Sequence, residues 1–245
     1  MNIKHLFTLL ILIIGLSHPL LAKELVVGTD SSFPPFEYKE KGEFVGFDID
    51  LLKAISKELG LTYQIRGMDF NGLIPALQSG NIDLAMAGIT IKPQREKVVD
   101  FSRPYYKAGL RILVRADEDQ IKSMADLKGK AVAVKLGTTS ADFVKGKVGR
   151  SRLFPQIGEC YMELQIGAVD AVIYDAPAME HFANTVGKGR VKLVGPLYEG
   201  QSYGIAFPEG SPLRDQFDQV LGKFMKNGVY AKLFKKWFGH QPGPL

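Results

Sequence analysis

Features that define several classes of proteins are missing from this chain. Its only cysteine is Cys160, so no disulfide can form within the chain, and zinc sites built from several cysteines are excluded. After residue 22, no stretch is apolar for the roughly 20 residues that span a bilayer. The 31 Lys and Arg and 26 Asp and Glu residues are scattered, so the charge pattern does not predict a nucleic-acid interface. The sequence also shows no metal-ligand cluster, no Ser/His/Asp constellation and no phosphate loop, and we expect no metal and no cofactor.

The N-terminus is the most apolar part of the chain. Lys4 and His5 precede an apolar run from Leu6 to Leu16, and Ala22 ends a plausible cleavage site. This order is typical of a secretory signal peptide. We therefore predict a signal peptide over residues 1–22 and an exported, soluble mature protein. No cysteine follows the run, which argues against a lipid anchor at this end.

Strands and helices alternate along the mature chain. The pattern predicts a strand over residues 24–29, a helix over 48–59 that Asp48 caps and Gly60 ends, and a strand over 84–87. Such alternation argues for an α/β fold with mainly parallel sheets. A second series with a similar plan begins near residue 131.

No linker rich in Pro, Gly or Ser separates the two series. We infer that the chain leaves the first unit near Tyr106, builds the second and returns near Tyr203. Two strand-like crossings would then form a hinge beside a cleft. The predicted division is lobe 1, residues 23–106 and 203–245, and lobe 2, residues 107–202.

The stretch from Ala87 to Tyr106, AGITIKPQREKVVDFSRPYY, carries the strongest chemical signal. A strand ends there, the chain turns, and Pro93 sits in the first turn of a short helix, where a missing N–H costs nothing. Thr90 and Arg95 would converge at this point, and a guanidinium can grip both oxygens of a carboxylate. The stretch therefore suits a small zwitterion. The alternative is that Thr90 only caps the helix and Arg95 lies on a solvated face.

Several blocks of the mature chain match one known family. They are VGTDSSFPPFEY, FVGFDIDLLKAISKELG, the long block from MDFNGL to YYKAGL, DLKGKAVAVKLGTTS, DAVIYDAPA, YGIAFPEGS and YAKLFKKWFG. In these the chain resembles the solute-binding proteins of polar amino-acid ABC transporters, solute-binding protein family 3, and most closely the glutamine-binding members. The resemblance covers essentially all of the mature chain, and the long central block is its most specific part.

The resemblance implies a two-lobed type II periplasmic-binding fold, with each sheet flanked by helices and the lobes joined by a two-strand hinge. It also implies a monomeric, non-enzymatic periplasmic receptor that delivers a polar L-amino acid, most plausibly glutamine, to an inner-membrane ABC permease. The positions it assigns to the ligand are Asp30, Phe33, Phe70, Gly88, Thr90, Arg95, Lys135, Thr139, Tyr174 and Asp175.

Each assigned residue has a physical role in that scheme. Arg95, Thr90 and the helix N-terminus at Thr139 would hold the α-carboxylate. Asp175 and the Gly88 carbonyl would take the α-ammonium. The aromatic rings of Phe33 and Phe70 would enclose the aliphatic stem, and Asp30 and Lys135 would meet the far end of the ligand.

Five of these residues also have a plainer interpretation. Asp175 could cap the helix that Pro177 opens, and Asp30 could be a turn residue. The two phenylalanines could belong to the core, and Lys135 could be a solvated residue at a strand end.

Two positions depart from the glutamine-binding pattern. It has a histidine where this chain has Tyr174 and a glycine where it has Thr139. These departures leave glutamate, asparagine or histidine open as ligands, while Lys135 argues against lysine or arginine because two cations would meet in a desolvated cleft. A dehydratase-like enzyme with Glu37 as its acid, and a ligand-sensing protein, are the alternative functions.

Overall fold

The fold is a two-lobed α/β architecture, as expected, in a computed structural model that describes residues 24–244. The predicted signal peptide over residues 1–22 lies outside the described residues. Each lobe is built around a five-stranded sheet, and a small three-stranded sheet joins the first lobe. The predicted lobe limits, 23–106 with 203–245 and 107–202, stay a prediction.

The first lobe contains the sheet with strand order β5-β1-β6-β13-β7. Its strands are β1 (Leu25–Thr29), β5 (Tyr63–Gly67), β6 (Leu84–Ala85), β7 (Asp100–Phe101) and β13 (Ala206–Phe207). The small sheet is β2 (Ser32–Phe33), β3 (Glu37–Glu40) and β4 (Glu43–Val45). The helices are α1 (Phe47–Leu59), α2 (Phe70–Gln78), α3 (Pro93–Glu96), α7 (Pro212–Asn227) and α8 (Val229–Phe238).

The second lobe contains the sheet with strand order β10-β9-β11-β8-β12. Its strands are β8 (Tyr106–Arg115), β9 (Ala131–Lys135), β10 (Arg150–Phe154), β11 (Ala171–Asp175) and β12 (Val191–Tyr203). The helices are a 3-10 turn (Met124–Leu127), α4 (Thr139–Phe143), α5 (Ile157–Gln165) and α6 (Ala176–Asn184).

Both sheets are mixed, whereas the alternation of elements predicted mainly parallel ones. In the first, β1 pairs in parallel with β5 and β6, while β13 is antiparallel to β6 and β7. In the second, β9 is parallel to β10 and β11, while β8 is antiparallel to β11 and β12. In these two sheets, every antiparallel pairing involves β8 or β13, the strands that leave and re-enter a lobe without a helical crossover.

The hinge consists of the facing ends of β8 and β12. Tyr106 pairs with Tyr203 in the register, and the Tyr105 N–H donates to the Tyr203 carbonyl at 2.9 Å. The rings of Tyr106 and Tyr203 stack with centroids 5.7 Å apart, and Phe234 of α8 stacks on Tyr106 at 5.6 Å. The aromatic residues of the last helix thus belong to the core, and they brace the hinge from the first lobe.

Helix α1 begins one residue before Asp48 and takes Gly46, not Asp48, as its N-cap. Asp48 lies in the first turn, fully buried, and its Oδ2 accepts a hydrogen bond from the Gly88 N–H at 3.0 Å. The predicted cap was wrong because a long-range backbone donor uses the carboxylate instead. The predicted stop is confirmed, since Gly60 ends the helix in the left-handed conformation.

Within residues 24–244, no helix is both long enough and apolar enough to cross a membrane.

Candidate functional site

A small pocket lies between the lobes and collects most of the residues predicted to bind a ligand. Its interior, together with the solvent-open space at its mouth, has a volume of about 230 Å³. The residues that line it are Phe33, Phe70, Ala87, Gly88, Thr90 and Arg95 from the first lobe and Thr138, Thr139, Tyr174 and Asp175 from the second. A larger open groove adjoins it at Thr90 and Thr139. We take the enclosed pocket as the site because buried charges of both signs converge there.

The floor of the pocket on the first-lobe side is Gly88. Its φ of 52° is in the left-handed region, and a Cβ there would lie 2.3 Å from the Phe33 ring. Only glycine fits both the backbone conformation and the close ring. The residue thus packs closely against Phe33, and its N–H donates to Asp48 Oδ2.

Arg95 lies in the short helix α3 and is nearly buried, with an exposed fraction of 7%. Its Nη1 donates to the Thr90 carbonyl at 2.9 Å, and its Nη2 donates to the Gly137 carbonyl at 3.1 Å in the second lobe. A guanidinium has five N–H groups, so two carbonyl bonds leave capacity for a carboxylate. Burial lowers the pKa of Arg95 to about 10, and the group therefore stays positive at neutral pH. The solvated alternative for Arg95 is wrong.

Asp175 ends strand β11 and faces the pocket from the second lobe. Its Oδ1 accepts a hydrogen bond from the Tyr203 hydroxyl at 2.8 Å. Burial raises the pKa of Asp175 to about 6, against the opposing effects of that hydrogen bond and of Arg95. Tyr174 is buried beside it, and burial together with the Asp175 charge raises its pKa well above 10, so its phenol is neutral.

Asp30 and Lys135 do not line this pocket but form an ion pair just beyond it. The Lys135 ammonium contacts the Asp30 carboxylate across the two lobes, with exposed side-chain fractions of 0% and 1%. The Lys135 Nζ also lies 5.8 Å from the centroid of the Phe70 ring, which forms the pocket wall. Lys135 is therefore not a solvated residue at a strand end, and the pair gives this end of the site no net charge.

Sequence reasoning missed residues that support the pocket. Thr138 caps α4, and its Oγ1 donates to the Lys135 carbonyl at 2.7 Å. Glu37, the acid of the enzyme alternative, is fully buried and outside the pocket lining. Only the apolar neighbours of Glu37 in FPPFEY could have signalled that burial.

The lobes touch each other around the pocket. Lys92 forms an ion pair with Asp142 at 2.7 Å at the rim. Gly137 approaches α2 so closely that a Cβ would lie 2.7 Å from the Asn71 Cβ. The structure therefore represents a closed arrangement of the two lobes. Across residues 24–244, no group of three or more His, Cys, Asp or Glu side chains could hold a metal ion.

Comparisons with known proteins point to one family. The model of the family described as bacterial extracellular solute-binding proteins, family 3, matches residues 25–240. The arginine-binding extracellular protein ArtP of Bacillus subtilis is 37% identical over 227 residues, which cover 88% of this chain and 86% of that protein.

Two solved structures share both fold and sequence. An ancestral arginine-binding protein bound to glutamine matches with a TM-score of 0.85 and 45% identity, over 89% of this chain and 98% of its own. An ancestral amino acid-binding protein, a precursor of cyclohexadienyl dehydratase, matches with a TM-score of 0.82 and 40% identity, over 88% and 95%.

Proposed function

The chain belongs to family 3 of the bacterial extracellular solute-binding proteins, and on that premise we propose that it is a receptor for a polar L-amino acid. The observation that carries the proposal is that Arg95 and Asp175 both line one enclosed pocket between the lobes. A buried cation and a buried anion at opposite sides of a small pocket match the two charges of an amino-acid backbone.

The α-carboxylate is assigned to Arg95 and Thr90, with Thr139 opposite. The α-ammonium is assigned to Asp175 and the carbonyl of Gly88. Because these groups come from both lobes, an amino acid bound between them stabilises the closed arrangement, as a ligand must bind one state better to shift the equilibrium.

Glutamine is the ligand that we favour. The buried Asp30–Lys135 pair just beyond the pocket brings no net charge to that end of the site, which suits an uncharged amide better than a charged side chain. The solved relative bound to glutamine supports this choice. Phe33 and Phe70 line the pocket, and we assign them to the aliphatic stem of the ligand.

Arginine is the second candidate, because similar proteins carry arginine binding in their names. Against it, an arginine side chain would bring a third cation beside Lys135 and Arg95, in a site with little water to screen them.

The test is calorimetric titration of the chain from residue 23 onward, unfolded in denaturant and refolded so that carried-over ligand is removed. Glutamine is expected to bind most tightly among glutamine, arginine, glutamate, asparagine, histidine and lysine. Tighter binding of arginine would overturn the glutamine assignment alone, and binding of none of the common L-amino acids would overturn the receptor. Arg95→Met should abolish binding, whereas Arg103→Met, which removes a surface ion pair with Asp218, should not.

We further propose that the receptor is periplasmic and monomeric and delivers its ligand to an inner-membrane ABC permease. One of the similar structures is a precursor of cyclohexadienyl dehydratase, so the enzyme alternative also needs a test. Incubating the protein with its amino-acid ligand and with a prephenate-like acid should return both unchanged by mass spectrometry. Turnover of either would overturn the binding role.

A further inference from the structure

Gln156 joins the two lobes outside the pocket. It lies between β10 and α5 in the second lobe, and both ends of its side-chain amide reach the first lobe. The Ser32 hydroxyl donates to Gln156 Oε1 at 2.5 Å, and Gln156 Nε2 donates to Asp69 Oδ1 at 2.6 Å. Neither Gln156 nor its two partners lines the pocket.

The chemistry of these contacts requires an amide. A carboxylate accepts hydrogen bonds and cannot donate, so the side of Gln156 that faces Asp69 must be the nitrogen. The opposite side accepts from a hydroxyl. A glutamate would satisfy Ser32 but would place an oxygen against the Asp69 carboxylate.

The position of Gln156 in its own lobe is fixed. Its backbone N–H donates to Glu159 Oε2 at 3.1 Å in the first turn of α5. The side chain therefore starts from the anchored beginning of a helix, so its backbone is already ordered before the lobes meet.

The contact also continues into the buried ion pair. The Ser32 N–H donates to Asp30 Oδ1 at 3.1 Å, and the other oxygen of Asp30 contacts Lys135. Gln156 and Lys135 belong to the second lobe, whereas Ser32, Asp30 and Asp69 belong to the first. This chain of contacts thus crosses between the lobes three times, at Lys135–Asp30, Ser32–Gln156 and Gln156–Asp69, and separation of the lobes breaks all three.

We propose that Gln156 is a latch for the closed state, a positioning residue that prolongs the residence of the ligand without selecting its identity. The inference rests on the proposed function, since a latch acts on whatever the lobes enclose. Substitution of Gln156 should therefore alter the dissociation rate of the ligand and leave the order of preference among amino acids unchanged.

The test uses Gln156→Glu, which keeps the shape of the side chain and replaces the donor that faces Asp69. We expect the dissociation constant for the preferred amino acid to rise about ten-fold, since one charge-assisted hydrogen bond is lost and two carboxylates face each other. Stopped-flow measurements should place most of the change in the dissociation rate. Gln219→Glu, at an exposed position of α7, is the matched control and should change neither.

Rescue separates a latch from a general effect on folding. Asp69→Asn alone should change affinity little, because its amide oxygen still accepts from Gln156. Added to Gln156→Glu, it restores a donor opposite the new carboxylate and should recover most of the affinity. An unchanged dissociation rate in Gln156→Glu, or a failure of Asp69→Asn to rescue it, would overturn the latch.

Small-angle scattering distinguishes this failure from failure of the proposed function. If the wild-type protein binds no amino acid, the receptor is wrong, and the latch is judged on the ligand-free protein alone. Gln156→Glu must then have a larger radius of gyration than the wild type, and the double variant must return to the wild-type value. Equal radii in all three proteins would overturn the latch.

Discussion

Each lobe has a buried aspartate that accepts a hydrogen bond from a tyrosine at the hinge. The two buried carboxylates differ in the other charged groups around them. Asp48 in the first lobe accepts from the Tyr105 hydroxyl at 2.6 Å, and Asp175 in the second accepts from the Tyr203 hydroxyl at 2.8 Å. Burial raises the pKa of each to about 6. The surroundings of the two carboxylates then diverge.

Asp175 faces the pocket and has the positive charge of Arg95 nearby. Asp48 lies behind Gly88 and has a second carboxyl group, Glu37, as its neighbour. Burial, followed by the negative charge of Asp48, raises the pKa of Glu37 well above its ordinary value. Asp175, which faces the pocket, thus has a cation nearby, whereas Asp48, which holds the backbone at Gly88, has a neighbouring acid whose pKa is raised.

A proton shared between Glu37 and Asp48 also explains why three of their carboxylate oxygens are buried without another partner in the described part of the chain. Among the described residues, neither oxygen of Glu37 and not the Oδ1 of Asp48 has a hydrogen-bond partner. Two ionised carboxylates cannot donate to each other, but one protonated acid can donate to its neighbour. The difference between the lobes therefore predicts different responses to substitution and to pH.

The largest effect should come from Asp175→Asn. This change keeps the shape and removes the charge proposed to bind the α-ammonium, so we expect affinity to fall about 1000-fold, roughly 4 kcal/mol. Asp48→Asn is the matched change on the other side and should alter affinity only a few-fold, because its amide oxygen can still accept from Gly88. Calorimetric titration of both variants measures the contrast, and equal losses in both would contradict it.

Asp48→Leu should have a large effect on stability, in contrast to the small effect of Asp48→Asn on ligand affinity. It leaves the Gly88 N–H and the Tyr105 hydroxyl buried without their acceptor, which costs about 3 kcal/mol of unfolding free energy. Asp50→Leu, two residues along the same helix, removes a partly exposed ion pair with Lys236 and should cost about 1 kcal/mol. Chemical denaturation provides both values, and similar losses would show that Asp48 does not hold the pocket floor.

Much of this organisation could be predicted from local sequence. Apolar periodicity located α1, Gly60 marked its end, and the two crossings near Tyr106 and Tyr203 were inferred from the order of elements. The family resemblance supplied most of the residues that the pocket collects. These signals depend on short-range pattern or on long matching blocks.

The missed features depend on contacts between residues far apart in the chain. Asp48 has the residue type of a cap, yet its acceptor is used by Gly88, 40 residues away. Gln156 meets Ser32 across 124 residues and Glu37 is buried by the fold as a whole, so neither shows a local signal. The antiparallel direction of β8 and β13 likewise follows from how the chain crosses between lobes.

The pH dependence of stability should identify the proton on the first-lobe pair. Because the pKa of Glu37 is raised in the folded protein, its contribution to stability is fully present below the unfolded pKa of about 4.3 and is lost as pH rises through the folded pKa. Glu37→Gln is a permanent donor and removes this loss, so its advantage over the wild type should grow above pH 5 by up to about 1.4 kcal/mol per pH unit. Denaturation from pH 5 to 8 measures this, and parallel curves for the two proteins would exclude a titrating Glu37.

The smallest effects should come from the hinge tyrosines, and they make the sharpest comparison. Tyr105→Phe removes one donor to Asp48 and should cost about 1 kcal/mol of stability with no change in ligand affinity. Tyr203→Phe removes the donor that lowers the pKa of Asp175, so that pKa should rise above 6. The ammonium needs the ionised aspartate, and affinity, which in the wild type declines as pH falls below about 6, should then begin to decline at a higher pH. Titrations of both variants from pH 5 to 8 measure the shift. If the pH at which affinity declines shifted with Tyr105→Phe and not with Tyr203→Phe, the ligand's ammonium would bind to the first lobe instead.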